Sequence, residues 1–65
     1  MTIASVARAV AAEVRAAGYV CGLDYVLRPA DVATLARALH REPTAAELRA
    51  LESAVRITID TSRAT

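Results

Sequence analysis

Apolar residues recur over the first seventeen positions in steps of three and four, at Ile3, Val6, Val10, Val14 and Ala17. That step matches the α-helical turn and puts all five on one face. Arg8 and Arg15, seven apart, fall on the opposite face. The pattern predicts a helix over 3–17, with Thr2 as its N-cap and Gly18 as the left-handed residue that ends it. A second stripe, Val32, Leu35, Ala36 and Leu39, predicts a helix opening at Pro29. Proline suits that first position, because its missing N–H would have no partner there, and Asp31 in the first turn complements the helix dipole. His40 and Arg41 fall in the last turn, where positive charge is favoured. A third stripe, Leu48, Leu51 and Val55, predicts a helix over 44–56, with Glu52 and Arg56 as a surface pair four residues apart.

Two segments depart from this period. Tyr19-Val20-Cys21 and Tyr25-Val26-Leu27 are short β-prone runs on either side of Gly22-Leu23-Asp24, which reads as a turn. Either a short strand or a buried irregular connection fits, and the apolar content predicts cover on both sides. Farther on, Val55, Ile57 and Ile59 alternate with Arg56, Thr58 and Asp60, the pattern of a strand with one face buried. A single strand cannot satisfy its own backbone, so this one is expected to pair with 19–27 or with a second copy. Residues 62–65 are polar and read as a frayed end.

The junction between the second and third helices is the sharpest local signal. Pro43 pushes the residue before it out of the α region. Thr44 followed by Glu47 forms a capping box, in which each side chain satisfies the other residue's backbone N–H. The expected fold class is therefore mainly α: a compact three-helix domain with a helix-corner-helix unit and one or two short β-strands. It forms one domain over 1–65.

Composition sharpens the functional side. A chain of 65 residues buries only about 60% of the surface its unfolded form exposes. Tyr19 and Tyr25 are its only aromatic residues, so the core is aliphatic and thin. Cys21 is the only cysteine, which excludes an intrachain disulfide and a cysteine-rich zinc site. Such a chain gains stability by self-association or by docking on a partner. The net charge is +1, with acidic and basic residues interspersed, so no long-range field draws it to nucleic acid or to a membrane. All eight basic residues are arginine, which with the abundant alanine points to a GC-rich bacterial or phage coding background. No secretory leader or membrane span is visible, and a cytoplasmic location is expected.

No constellation for catalysis stands out. His40 is the only histidine and has no metal-ligand partner at suitable spacing, the carboxylates read as solvated or capping, and Gly18 and Gly22 form no phosphate-binding loop. The chain is expected to be no enzyme and to hold no cofactor, metal or small-molecule substrate.

The order helix, short strand, helix, helix, strand resembles the opening of a winged-helix domain. The stretch from Arg41 to Leu48 is also similar to helix junctions in bacterial sigma factors and in some biosynthetic enzymes. The winged-helix resemblance implies a dimeric DNA-binding regulator using the 31–56 unit, with Arg41, Arg49, Ser53 and Arg56 as contacts. Two features weigh against it. The sequence offers no second wing strand, and the would-be recognition helix sets Glu47 and Glu52 against Arg49 and Arg56, for no net charge. DNA affinity comes largely from neutralised phosphates.

The preferred reading is a small non-enzymatic interaction module of the inhibitor or adaptor type, a phage or bacterial accessory protein that self-associates and docks on a protein partner. Its expected apolar anchors are Tyr25, Ile57 and Ile59, its exposed polar surface Arg8 and Arg15. Residues 56–60 are expected to add a strand to a neighbour. The alanines flanking the first helix, Ala4, Ala7 and Ala11, would let a second helix approach closely. A structural component of a virion or other large assembly is a third reading.

Overall fold

The computed structural model describes residues 3–64, so the expected cap at Thr2 and the terminal Thr65 lie outside the described residues. Among the described residues three helices follow one another, α1 (Ile3–Ala16), α2 (Pro29–Leu39) and α3 (Ala45–Ala64), with a 3-10 turn at Gly22–Asp24 between the first two. The twenty residues of α3 span about 30 Å at 1.5 Å per residue, close to the 34 Å long dimension of the molecule. Mainly helical architecture with three helices is as the periodicity predicts. The one or two expected strands are absent among the described residues.

The last expected strand is the second half of α3. Leu48, Leu51, Val55 and Ile59 continue one stripe in steps of three, four and four, so Ile59 extends the helical face rather than starting a strand. Ile59 is fully buried, whereas Ile57, two positions earlier, is 65% exposed. Residues two apart share a strand face but lie on different sides of a helix. The alternation of Val55, Ile57 and Ile59 was compatible with both periods, and the apolar neighbours that α1 supplies to Val55 and Ile59 outweigh β-branched propensity. Thr58 contributes its hydroxyl to the Ala54 carbonyl at 2.7 Å, within the helix.

The connector over 19–28 is not a strand either, and its hydrogen-bond partners say why. The Gly22 N–H donates to Asp60 Oδ1 at 2.8 Å, and the Leu27 N–H donates to Glu52 Oε2 at 3.0 Å. Arg56 Nε donates to the Tyr25 carbonyl at 3.1 Å. Glu52, Arg56 and Asp60 are four residues apart, so one edge of α3 meets the polar backbone groups of an extended segment that no neighbouring strand serves. The segment lies close: a Cβ on Gly22 would sit 2.5 Å from the Arg56 carbonyl oxygen, a distance only glycine avoids. Contrary to expectation the connector is covered on one side only. Tyr25 points into the core, while Val20, Leu23 and Val26 face water.

Both of the first two helices end in a Schellman motif. At the end of α1, Gly18 has φ +111, and the Tyr19 and Gly18 N–H groups bond to the Val14 and Arg15 carbonyls at 3.0 Å each. At the end of α2 the left-handed position is filled by His40, φ 58, with Arg41 bonding to Ala36 at 3.3 Å and His40 to Arg37 at 3.4 Å. What His40 supplies is thus a backbone conformation. At the start of α3 the capping box is present: Thr44 N–H to Glu47 Oε1 at 2.8 Å, and Glu47 N–H to Thr44 Oγ1 at 3.2 Å.

The core is one cluster, to which α1 gives Val6, Ala7, Val10, Ala11 and Val14, α2 gives Leu35, and α3 gives Leu51, Val55 and Ile59, with Tyr25 entering from the connector. α1 packs chiefly on α3. Ala7 and Ala11 are almost fully buried, so the close approach their small side chains permit is used within the chain; Ala4 remains exposed.

Candidate docking surface

The polar groups that chemistry would use are held in closed clusters. Asp31, read from sequence as a solvated first-turn carboxylate, is 1% exposed. It accepts from Tyr25 Oη at 2.7 Å, and from Arg28 Nε and Nη2 at 2.8 Å each. Arg28 also reaches Glu13 Oε1 at 3.0 Å, tying the start of α2 to α1. Burial alone would raise the Asp31 pKa, but the hydrogen bonds from Arg28 and Tyr25 outweigh it and hold the carboxyl below its ordinary range. Burial, and then the bond to Asp31, pushes the Tyr25 hydroxyl well above its own. Among the described residues every buried side-chain nitrogen and oxygen has a partner, so this cluster offers no unmatched atom to a ligand. Sequence reasoning missed it, although the Arg28-Pro29-Ala30-Asp31 spacing is a legible signal. A carboxylate at the third helical position faces the residue that caps the helix.

The residues proposed for DNA are dispersed in role. Arg41 donates through Nη1 and Nη2 to the two Glu47 carboxylate oxygens, at 2.8 and 2.6 Å. The side-chain bond from Arg41, and then that from the Thr44 backbone, lowers the Glu47 pKa to about 2. Arg56 is engaged with the Tyr25 carbonyl and lies 3.9 Å from Glu52. Arg49 and Ser53 are exposed on α3. Two of the three guanidinium groups are therefore already partnered by the protein itself.

The five expected interface residues divide. Tyr25 and Ile59, offered as anchors, are fully buried in the chain's own core and cannot meet a partner. Strand addition through residues 56–60 falls away as well, since their backbone groups lie within α3. Arg8, Arg15 and Ile57 are exposed, and Arg8 and Ile57 come together. They line an open groove of about 330 Å³ between α1 and α3, whose other walls are Ala4, Ala7, Ala54, Thr58 and Thr61. Among the described residues no carboxylate lines it. A second apolar surface, Val20, Leu23 and Val26 on the connector, faces water where the sequence predicts a segment covered on both sides; Leu23 is 82% exposed.

Among the described residues no group of three or more His, Cys, Asp or Glu could hold a metal ion, and no helix is long and apolar enough to cross a membrane. Compared with known proteins, the chain matches no family model, no curated protein and no solved structure.

Proposed function

We propose that this chain is a small non-enzymatic protein-interaction module, acting by self-association and by docking on a protein partner in the manner of an inhibitor or adaptor. The observation that carries this reading is the exposure of Val20, Leu23, Val26 and Ile57 on a chain whose apolar core, Tyr25 apart, is aliphatic. Removing apolar area from water stabilises by about 25 cal/mol per Å². A domain of this size gains proportionately more from a shared surface than a large one does. The engagement of Arg41 and Arg56 with groups of the protein weighs in the same direction, since phosphate contacts would have to displace those partners.

Sedimentation velocity over a dilution series tests the reading. A discrete oligomer that dissociates on dilution is expected, and a monomer up to millimolar concentration would refute it. Open-ended growth would favour the structural-component reading. Binding to nonspecific duplex DNA, steeply weakened by salt, would favour the regulator.

A further inference from the structure

Two features that face water on this molecule are complementary to each other. The connector tip presents Leu23 and, beside it, Asp24, whose carboxylate makes no hydrogen bond or ion pair among the described residues. The α1/α3 groove presents an apolar floor with Arg8 on its wall and, among the described residues, no carboxylate lining it. Building on the self-association reading, we propose that a second copy of this chain occupies the groove, with the Leu23–Asp24 tip of each protomer seated in the groove of the other.

Three observations support the pairing. The first is volume. A cavity of about 150 Å³ holds a benzene molecule, and this groove, at about 330 Å³, has room for a leucine side chain and its neighbours. The second is charge, since seating Leu23 carries Asp24 to the rim where Arg8 stands. The third is the arrangement around α3. The connector is hydrogen-bonded to the Glu52, Arg56 and Asp60 edge, and the groove is walled by Ala54, Thr58 and Thr61. At about 100° per residue Ile57 lies between these two edges on the side away from the core. Tip and groove also lie at the same height, because Gly22 is bonded to Asp60 within the span of α3 that lines the groove. A twofold axis parallel to α3 and passing beside Ile57 therefore places each tip over the opposite groove and sets Ile57 against its counterpart. Such an interface is isologous and closes at two copies.

Reciprocal charge exchange tests this, with sedimentation equilibrium as the readout and helical circular dichroism as the check that each variant is folded. Both positions are exposed, so the variants are expected to fold. Asp24→Arg and Arg8→Asp each juxtapose like charges twice per dimer and are expected to raise the dissociation constant about tenfold or more. The double variant Asp24→Arg/Arg8→Asp is expected to return to within about threefold of the wild type. A dimer indifferent to both single changes overturns this interface while leaving self-association standing. Weakening without rescue in the double variant overturns the Asp24–Arg8 pairing, and growth beyond two copies overturns the twofold arrangement. A monomeric wild type overturns both this inference and the reading beneath it.

Discussion

At the scale of single residues, the group that matters most is Asp31. It is the one charged residue in the interior among the described residues, and it stays charged because Arg28 and Tyr25 donate to it. Removing it leaves the Tyr25 hydroxyl buried with no acceptor, which costs about 1–3 kcal/mol beyond the lost ion pair. Asp31→Ala is therefore expected to lower the melting temperature by about 10 °C or more for a domain of this size. Tyr25→Phe in the wild type is expected to cost about 1 kcal/mol, and much less once Asp31 is gone. A double-mutant cycle by thermal denaturation reads this coupling directly, and additive effects would show that the two side chains do not cooperate. Acid titration probes the same group together with Glu47. Both carboxyls have pKa values lowered by folding, Glu47 from 4.5 to about 2. The stability they contribute is complete above the unfolded values and fades as pH falls through the folded ones. Thermal stability is thus expected to decline as pH drops from about 4.5 to about 2, and the Glu47→Gln variant to decline less.

At the scale of elements, the decisive pair is Ile57 and Ile59. On a strand, aspartate at either position would be equally damaging; on α3 only one of them faces the core. Ile59→Asp places a charge in the interior and is expected to abolish the cooperative melt. Ile57→Asp is expected to change the monomer's stability by about 0.5 kcal/mol or less, measured at concentrations where the protein is dissociated. Equal damage from the two would argue that residues 57–59 are a strand after all. The end of α2 provides a second element-level test. His40 holds a left-handed conformation that costs an L-residue about 1 kcal/mol, so His40→Gly is expected to raise the melting temperature by a few degrees. No gain on calorimetry would mean that the histidine side chain compensates in some other way.

At the scale of the whole molecule, a thin core leaves apolar side chains outside it. α1 buries Ala7 and Ala11 in the core and leaves a groove with α3 along one side, while the connector buries Tyr25 and turns Val20, Leu23 and Val26 to water. If those surfaces are shared between copies, folding and association are linked, and the melting temperature is expected to rise with protein concentration. A melting temperature constant across a hundredfold range would separate the two processes.

Much of the framework was legible along the chain, because its signals are local. Gly18 ends α1 since glycine alone enters φ +111 without strain, and Thr44 and Glu47 cap α3 because their atoms are three residues apart in any helix start. The three stripes of aliphatic residues follow from the same short-range periodicity. What sequence could not settle was whatever depended on a distant neighbour. Residues 55–59 fit two periods, and only the packing of α1 on α3 selected the helical one. The connector needed hydrogen-bond partners, and only the fold brought Glu52, Arg56 and Asp60 to within reach of Gly22, Tyr25 and Leu27. Tyr25 and Ile59, surface anchors by sequence, are core, while Leu23, a turn residue by sequence, is among the most exposed apolar groups. Short-range spacing determines where helices begin, end and point their apolar faces. Which apolar side chains are left in water is decided only when the helices meet, because burial belongs to pairs of surfaces.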